Sequence, residues 1–304
     1  MEGLPEGLRA RPATPVDADA IAEVVASAEL VANGVVDVDR EDVETDLRAP
    51  LLASPGHAVV VLEGERVVAA STLHAVRGAV YADVHPGWCG RGIGSALLSW
   101  SERVASDAGV AVIGQTRSDG DATARDLLAA AGYAPRWVSW LLEYPMSEQP
   151  PEPAVVEGIR LRPFEPGIDD QDVYRLIDDA FNEWEGRVPQ TFEEWRAFTV
   201  DRTTFDPVVS PVAVDGDEVV GAAISLTYEG DDDGYVHHLA VKRSHRRHGI
   251  GRALLLEAFR GFHATGRRSV VLSTESRTGA LDMYERVGMR VRRSYTNYAK
   301  DLRG

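Results

Sequence analysis

Hydrophobic and polar positions along the chain follow one pattern that runs twice. A short alternating strand closed by proline, GLRARP (7–12), recurs as GIRLRP (158–163). Apolar residues at helical spacing follow each strand, at 17–29 and at 169–181. Two alternating runs joined through glycine and acidic residues come next in each half, which is typical of a β-hairpin. The pattern predicts two halves with the same order of elements.

The later parts of the two halves also match. After each hairpin come a glycine-rich loop, a helix, a short apolar strand, a second helix and a last strand. The separation between matching glycines is nearly constant, with 157 residues from Gly92 to Gly249 and 156 from Gly132 to Gly288. Such constancy indicates an internal duplication.

The alternation of strands and helices predicts the fold class. We expect α/β (α+β layered) architecture with two tandem domains, each a mixed, mostly antiparallel sheet with helices on both faces. The segment MSEQPPEPAVVEG (146–158) carries three prolines and three glutamates, which is typical of an extended, exposed connector. The predicted division is an N-terminal domain over 1–146, a linker over 147–158 and a C-terminal domain over 159–304.

Length, hydropathy and cysteine usage narrow the class of protein. A chain of 304 residues fits two domains. It has no 18-residue apolar run for a transmembrane helix, and its N-terminus lacks the basic and apolar regions of a signal peptide. Cys89 is the single cysteine, which excludes an internal disulfide and is typical of a reducing compartment. These features predict a soluble, cytoplasmic protein.

The charge distribution indicates an anionic ligand at one place. A net charge of −16 argues against general nucleic-acid binding, because phosphate contacts need a basic face. The exception is KRSHRRHGIGR (242–252), which carries five lysines and arginines and no acidic residue. A basic island on an acidic protein attracts a compact, highly charged anion.

That island contains a glycine-rich loop, RRHGIG (246–251), between an apolar strand and a helical pattern. This order points backbone N–H groups and a helix N-terminus at one place, where an anion binds. A weaker copy, CGRGIG (89–94), has the same context but Cys89 in place of the basic residue. Neither loop matches a Walker loop or a dinucleotide-binding fingerprint.

Two motifs resemble those of the GNAT acetyltransferase superfamily, whose cofactor is acetyl-coenzyme A. Arg246, Gly249 and Gly251 follow the pyrophosphate-loop pattern R/Q-x-x-G-x-G/A. GALDMYERVGM (279–289) resembles the family's closing helix, A-x-x-L-Y-E-x-x-G-F, with Met in place of Leu and of Phe. The resemblance covers essentially the whole chain, twice. The tandem arrangement is similar to that of the mycothiol synthases, which pair a degenerate N-terminal module with an active C-terminal one.

The resemblance implies which residues bind acetyl-CoA. Glycines let the backbone approach the pyrophosphate without a Cβ in the way, and the helix N-terminus adds its positive end. The strand before the loop is expected to pair with the pantetheine arm, in a slot that opens after Val241. The predicted cofactor-binding residues are Leu239, Ala240, Val241, Arg246, Arg247, His248, Gly249, Ile250, Gly251 and Arg252.

The resemblance also implies a catalytic acid, and the strand before the loop offers a base. Tyr284 lies where GNAT enzymes often carry a tyrosine directed at the thioester sulfur. In GYVHHLAV (234–241), alternation puts Tyr235 and His237 on one face and His238 on the other, and a β-bulge would exchange the faces. His237 is the predicted base. Some members carry a glutamate at the place of Tyr235, and that acid is missing here.

The first half lacks these groups. Leu128 takes the place of Tyr284, and Gly78 and Val80 take the places of the two strand residues. None of the three can give or take a proton. We therefore expect the chemistry in the C-terminal half.

Two further sets of residues bear on ligands. The four histidines in and before the basic loop have no metal-ligand spacing, so we predict no metal site. The family selects its acceptor with the first helix pair and the last strands. The resulting pocket candidates are Phe181, Glu183, Trp184, Trp195 and Tyr295, and the acidic residues of 182–186 would suit a cationic amine.

The sequence thus predicts an acetyl-CoA-dependent N-acetyltransferase that acts on a primary amine of a small molecule, an amino sugar or an amine metabolite. The alternatives are a non-catalytic acyl-CoA-binding sensor and a protein-lysine or N-terminal acetyltransferase. A second, non-reacting CoA in the N-terminal half is left open. The small-molecule amine is the expected partner, with no nucleic acid and no membrane, and the chain is expected to be a monomer with pseudo-twofold tandem domains or a weak homodimer.

Overall fold

The computed structural model describes residues 1–38, 40–48, 57–183 and 189–303. The first ten elements are β1 (Leu8–Pro12), α1 (Ala18–Asn33), α2 (Arg40–Arg48), β2 (Ala58–Glu63), β3 (Arg66–His74), β4 (Ala79–Val84), α3 (Ile93–Asp107), β5 (Val112–Ser118), α4 (Ala122–Ala130) and β6 (Ala134–Pro145). The following ten are β7 (Ile159–Pro163), α5 (Asp170–Phe181), α6 (Phe192–Ala197), β8 (Pro211–Asp215), β9 (Glu218–Thr227), β10 (Asp233–Val241), α7 (Ile250–Ala264), β11 (Ser269–Glu275), α8 (Leu281–Val287) and β12 (Arg290–Asp301).

The chain forms two compact units. Unit 1 consists of Met1–Val138 and Arg293–Gly304, and unit 2 consists of Ser139–Arg292. The strands of unit 1 run in the order β1-β2-β3-β4-β5-β12, and those of unit 2 in the order β7-β8-β9-β10-β11-β6. Neighbouring strands are antiparallel in both units, except for the parallel pairs β4–β5 and β10–β11. The predicted mixed, mostly antiparallel α/β class is confirmed.

The two units exchange their last strands, so their boundaries differ from the expected 1–146 and 159–304. From Tyr295 to Asp301, β12 pairs with β5 of unit 1. From Ser139 to Pro145, β6 pairs with β11 of unit 2, where Leu142 is fully buried. Alternation within a strand shows which face is apolar but not which partner it pairs with. The sequence therefore predicts these strands and leaves their exchange undetermined.

Each unit has helices on both faces of its sheet. In unit 2, Leu254 and Phe259 of α7 are buried on one face, and Val173 of α5 and Trp195 of α6 are buried on the other. Unit 1 repeats this with α3 and α4 on one face and α1 and α2 on the other. Among the described helices, none is both long and apolar enough to cross a membrane.

The linker between β6 and β7 contains no helix or strand, but part of it packs on unit 2. The Met146 amide donates to the Arg268 carbonyl at 2.7 Å, and Arg260 donates to the Pro150 carbonyl at 2.9 Å. Met146 is buried in the core beneath α7. Met146 and Pro150 are therefore buried, whereas most of the other connector residues are exposed.

A matching ion pair closes the first strand of each unit. Arg162 at the end of β7 binds both carboxylate oxygens of Asp169 at 2.6 Å, and Arg11 binds Asp17 in the same way at 2.8 and 2.6 Å. Asp169 is only 2% exposed, and its carboxylate also accepts the Glu165 amide at 2.7 Å. The Arg11 guanidinium lowers the pKa of Asp17 to about 2. These pairs fix the turn from the first strand into the first helix.

We expect Arg162→Leu to lower the free energy of unfolding of unit 2 by about 3 kcal/mol, because it leaves a buried carboxylate without its cation. Chemical denaturation measures the effect. Arg160→Leu is the matched control, since Arg160 lies exposed on the same strand. Equal losses for the two variants would contradict a specific role for the ion pair.

Candidate active site

A groove of about 900 Å³ lies in unit 2 where two parallel strands part. β10 and β11 pair only from Asp233 to Tyr235, opposite Ser269 to Val271. From Val236 onward, no described strand pairs with that edge of β10. The slot therefore opens earlier than the expected position after Val241, and it leaves one edge of the strand open to an extended ligand.

The glycine-rich loop forms one end of the groove. Gly249 caps the N-terminus of α7 with a φ of 88°, a conformation that glycine adopts without strain. Arg247 has a φ of 67°, the one positive value found at a non-glycine residue in the described chain. A Cβ at Gly251 would lie 3.7 Å from Val241 Cγ2 and 3.8 Å from Met283 Sδ. Both are ordinary van der Waals distances, so the protein itself has room for a Cβ there.

The first amides of α7 point out of this loop, because the first turn of a helix has no internal acceptors for them. With the helix dipole, they form an anion-binding site that suits a pyrophosphate. Nine of the ten predicted cofactor-binding residues line the groove: Leu239, Ala240, Val241, Arg246, Arg247, Gly249, Ile250, Gly251 and Arg252. His248, the tenth, is exposed and lies outside its lining.

Arg246 is held by the protein itself. Its two terminal nitrogens bind the Glu183 carboxylate at 2.7 and 3.1 Å, and its Nε donates to the Val241 carbonyl at 3.0 Å. The same ion pair lowers the pKa of Glu183. Arg246 therefore ties the end of β10 to the segment after α5.

Tyr284 projects from α8 into the groove. The residue is 8% exposed, and burial raises the pKa of its phenol to about 12. Within the described part of the chain, no group hydrogen-bonds its hydroxyl. The phenol is therefore protonated at neutral pH and able to donate to a ligand.

His237 lies in a β-bulge of β10. The pairing with β9 shifts register between Val236 and His238, so His237 is the extra residue. Its ring centroid lies 4.2 Å from that of His238 and 5.8 Å from that of Tyr235. Burial, together with the positive charge of Arg202, lowers the pKa of His237 to about 4. The imidazole is therefore neutral at pH 7.

Unit 1 has no residue at the place of His237. In β10, Val236 is followed by His237 before the next paired residue, His238. In β4, Val80 is followed directly by Tyr81. Counted back from the strand ends without His237, Val80 and Val236 take the same place in the two units, and both are 3% exposed.

The bulge corrects the expected match between the halves. Gly78 and Val80 are not the counterparts of Tyr235 and His237, because β10 has one residue more than β4 at the bulge. The sequence pattern does not reveal this extra residue. Ala79 is the counterpart of Tyr235: it pairs with Gly114 on β5, as Tyr235 pairs with Val271 on β11. Only one of the two units has a titratable bulge at this edge.

The acceptor-pocket candidates lie in different places. Phe181 lines the groove and contacts the His238 ring at 5.4 Å between centroids. Trp195 is buried in the core of unit 2. Tyr295 lies in unit 1, because β12 pairs with β5 from that residue on. Trp184 lies outside the described residues.

The sequence of this chain is similar to those of known acetyltransferases. The acetyltransferase (GNAT) family model matches residues 171–289. A mycothiol acetyltransferase from Thermobispora bispora is 32% identical over 67% of this chain and 70% of its own length. The chain belongs to the GNAT acetyltransferase family. It is therefore an N-acetyltransferase, and acetyl-CoA is the acetyl donor used in this family.

Three more proteins match nearly the whole chain. A mycothiol acetyltransferase from Salinispora arenicola is 29% identical and covers 97% of this chain and 98% of its own. The crystal structure of a GCN5-related N-acetyltransferase from Sphaerobacter thermophilus is 31% identical, with a TM-score of 0.78 over 98% and 97% of the two chains. A tandem GNAT protein from the clavulanic acid pathway shares the fold at 18% identity, with a TM-score of 0.74 and coverage of 97% and 98%.

Some residues that line the groove of unit 2 belong to neither sequence motif. Ser139 comes from β6, which the sequence assigns to the N-terminal domain. Ser273, Thr274 and Glu275 come from β11, the far wall of the slot. Recognising Ser139 requires knowing that β6 pairs with β11. In the described part of the chain, no cluster of three or more metal-ligating side chains is found.

We expect Glu183→Gln to raise the dissociation constant for acetyl-CoA about five-fold, because it removes one charge of the pair that fixes the cofactor loop. Titration calorimetry measures the change. Glu193→Gln, on the exposed side of α6, is the control. Unchanged affinity in Glu183→Gln would show that the loop keeps its shape without the pair.

Proposed function

We propose that unit 2 transfers the acetyl group of acetyl-CoA to a primary amine of a small molecule, an amino sugar or an amine metabolite. The observation that carries the proposal is the slot itself. A cofactor-sized groove, an anion-binding loop, a protonated phenol and a neutral imidazole meet along one strand edge, β10. Unit 1 serves as a non-catalytic partner within the same chain.

The residues present fit acetyl-CoA part by part. The loop from Arg247 to Arg252 offers amides and positive charge to the pyrophosphate. The unpaired edge from Leu239 to Val241 offers backbone groups to the amides of the pantetheine arm. Hydrogen bonds to a charged group contribute about 1.5–3 kcal/mol each, so the loop supplies most of the binding. Bound there, acetyl-CoA supplies an activated thioester.

Tyr284 is the proposed acid. When the amine nitrogen bonds to the acetyl carbon, the carbon–sulfur bond breaks and the sulfur takes a proton. A phenol whose pKa is raised to about 12 is protonated at every physiological pH and can donate that proton. Among the described residues no protein acceptor competes for it, so its hydroxyl is available to the sulfur.

His237 is the proposed base. An ammonium with the pKa of lysine costs about 4.6 kcal/mol to deprotonate at pH 7, so a neutral acceptor beside it is useful. The bulge puts the His237 imidazole on the groove lining. Its pKa of about 4 lies below the near-neutral value expected of a histidine, so the imidazole is a weak base, and its proposed part is to relay the proton to solvent.

The acceptor class follows from chemistry and relatives. Several relatives carry the name mycothiol acetyltransferase, which supports a small-molecule amine over a protein lysine. Tyr235 stands where some family members have a glutamate, so we propose a related acceptor rather than the same one. Glu183 is already bound to Arg246, and it is not the group that would receive a cationic amine.

Other parts of the proposal concern stoichiometry and location. One acetyl-CoA acts in unit 2, and a second, non-reacting CoA in unit 1 is the alternative stoichiometry. The cytoplasm is the proposed location, because the single Cys89 is a free thiol. The proposal includes no nucleic-acid or membrane partner and leaves monomer and weak homodimer to be separated by sedimentation.

Thiol release tests the function. Acetyl-CoA is supplied with a panel of amino sugars, amine metabolites and a lysine peptide, and free CoA is measured with a thiol reagent. We expect turnover with a small amine and little with the peptide. Binding without release for any amine would favour the acyl-CoA sensor, and release with the peptide alone would favour a protein acetyltransferase.

We expect Tyr284→Phe to lower kcat about 100-fold while the affinity for acetyl-CoA changes little, because the variant keeps the ring and removes only the proton. Tyr144→Phe is a control, since that tyrosine stacks on Phe259 in the same core. Steady-state kinetics and calorimetry separate the two effects. Full activity in Tyr284→Phe would contradict its role as the acid.

We expect His237→Asn to lower kcat about 100-fold as well, with His238→Asn as the matched neighbour. The folded pKa near 4 lies below the unfolded value of 6.5, so the unfolded chain binds the proton first as pH falls. Stability is therefore lost between about pH 6.5 and pH 4, and His237→Asn should flatten that loss. A stronger defect in His238→Asn would transfer the role to His238.

We expect Gly249→Val to abolish acetyl-CoA binding and turnover, while Gly92→Val leaves turnover in place. The two glycines have φ values of 88° and 89° at the N-termini of α7 and α3, so the backbone strain is similar. Only the first lies in the proposed catalytic unit. Equal loss of turnover in both variants would contradict the assignment of the chemistry to unit 2.

A further inference from the structure

The glycine-rich loop of unit 1 keeps the backbone shape of its counterpart. Gly90 has a φ of 75° where Arg247 has 67°, and Gly92 has 89° where Gly249 has 88°. The helix that follows, α3, is fifteen residues long, like α7. Loss of the basic residue at Cys89 has therefore not changed the loop. What separates the two units lies elsewhere in the groove.

The strands of unit 1 also part. Within the described chain, β4 pairs with β5 only at Ala79 and Gly114, so a slot opens beyond this point. In this slot, Ala82 is the counterpart of Leu239, because each lies two residues before the end of its strand, β4 or β10. A pantetheine arm in unit 1 would have to run along this edge.

A side chain of unit 1 lies across that slot. Arg117 projects from β5, where its Nη1 binds the Asp83 carboxylate of β4 at 2.8 Å. Its Nη2 donates to the Ala82 carbonyl and to Gln115 Oε1, the latter at 3.1 Å. The Arg117 side chain is 13% exposed and that of Asp83 is 21% exposed, so the bridge is largely buried. It spans the slot between the two strands, where the pantetheine arm would have to lie.

Unit 2 has none of these bridging groups at the matching places. One residue before the end of β5, Arg117 corresponds to Thr274, which lies one residue before the end of β11. One residue before the end of β4, Asp83 corresponds to Ala240. Gln115 corresponds to Leu272 in the same way. The groove of unit 1 measures about 400 Å³, against about 900 Å³ in unit 2.

Opening the slot in unit 1 would be costly. An entering arm would take the Ala82 carbonyl away from Arg117 and leave Asp83 partly buried without its cation. Breaking a buried ion pair from one side is strongly unfavourable, and an amide of the arm cannot replace the charge. The retained loop alone would offer a ligand only its phosphate contacts.

We propose that the Arg117–Asp83–Gln115 bridge closes unit 1 to the pantetheine arm, so that the protein binds one acetyl-CoA per chain, in unit 2. This inference rests on the proposed function, since it takes acetyl-CoA as the ligand. The bridging side chains fill the space in the slot that the pantetheine arm would need. It explains how a duplicated module keeps its loop and still has no cofactor.

Native mass spectrometry and calorimetry with coenzyme A count the bound molecules. We expect one per chain in the natural protein and none in Gly249→Val. Two per chain would overturn the bridge and leave the proposed function intact. Failure to bind any would overturn the proposed function, and this inference with it.

Replacing the three bridging residues of unit 1 by the residues at the matching places in unit 2 tests whether the bridge is what keeps coenzyme A out of unit 1. The triple variant Arg117→Thr, Asp83→Ala and Gln115→Leu gives unit 1 the slot residues of unit 2, and Arg103→Thr on the exposed face of α3 is the control. We expect the triple variant to bind two coenzyme A molecules with unchanged turnover, and the control to bind one. A triple variant that folds and still binds one would show that the bridge does not close the slot.

A measurement on the natural protein keeps the inference testable if the variant does not fold. Hydrogen exchange with and without coenzyme A compares the two loops. We expect protection over 241–252 and no change over 84–95. Protection of both loops would overturn the inference.

Discussion

The unpaired edge of β10 is the constraint on which the rest of unit 2 depends. A strand inside a sheet normally has both edges paired, and burying unpaired amides and carbonyls is costly. From Val236 to Val241, β10 has β9 on one side and a groove on the other. The bulge at His237 marks the start of this region, and the turn at Arg246 and the cap at Gly249 follow its end. An extended ligand that supplies hydrogen bonds along the strand and negative charge at the loop satisfies the edge and the helix terminus together.

Much of the fold could be predicted because its signals are local. The helical spacing at 169–181 and the glycine before α7 depend on neighbouring residues, and both elements lie where the patterns put them. The repeat supplies a second copy of the order of helices and strands. The exchange of β6 and β12 could not be predicted in this way. Strand pairing is a contact between distant residues, and the alternation of β12 suits either unit equally well.

The candidate site shows the same division. The loop glycines and Tyr284 belong to motifs with fixed spacing, whereas the position of His237 depends on one extra residue in a strand. Strict alternation along an unbroken strand would put His237 on the same face as Tyr235. The bulge at His237 breaks this alternation and changes the pairing register with β9 from His238 on. The ion pair between Arg246 and Glu183 also cannot be predicted from the sequence pattern, because 63 residues separate the two along the chain. In unit 1, the bridge from Arg117 to Asp83 has no motif and appears only when β4 and β5 are side by side.

A crystal structure of the protein with coenzyme A bound would show directly whether the cofactor lies along β10. We expect one molecule, in unit 2, with its pyrophosphate on the amides of Arg247–Arg252 and its arm along Leu239–Val241. The sulfur should lie within hydrogen-bond reach of the Tyr284 hydroxyl, on the same side as His237. A sulfur remote from Tyr284, or an arm bound outside the slot between β10 and β11, would contradict it.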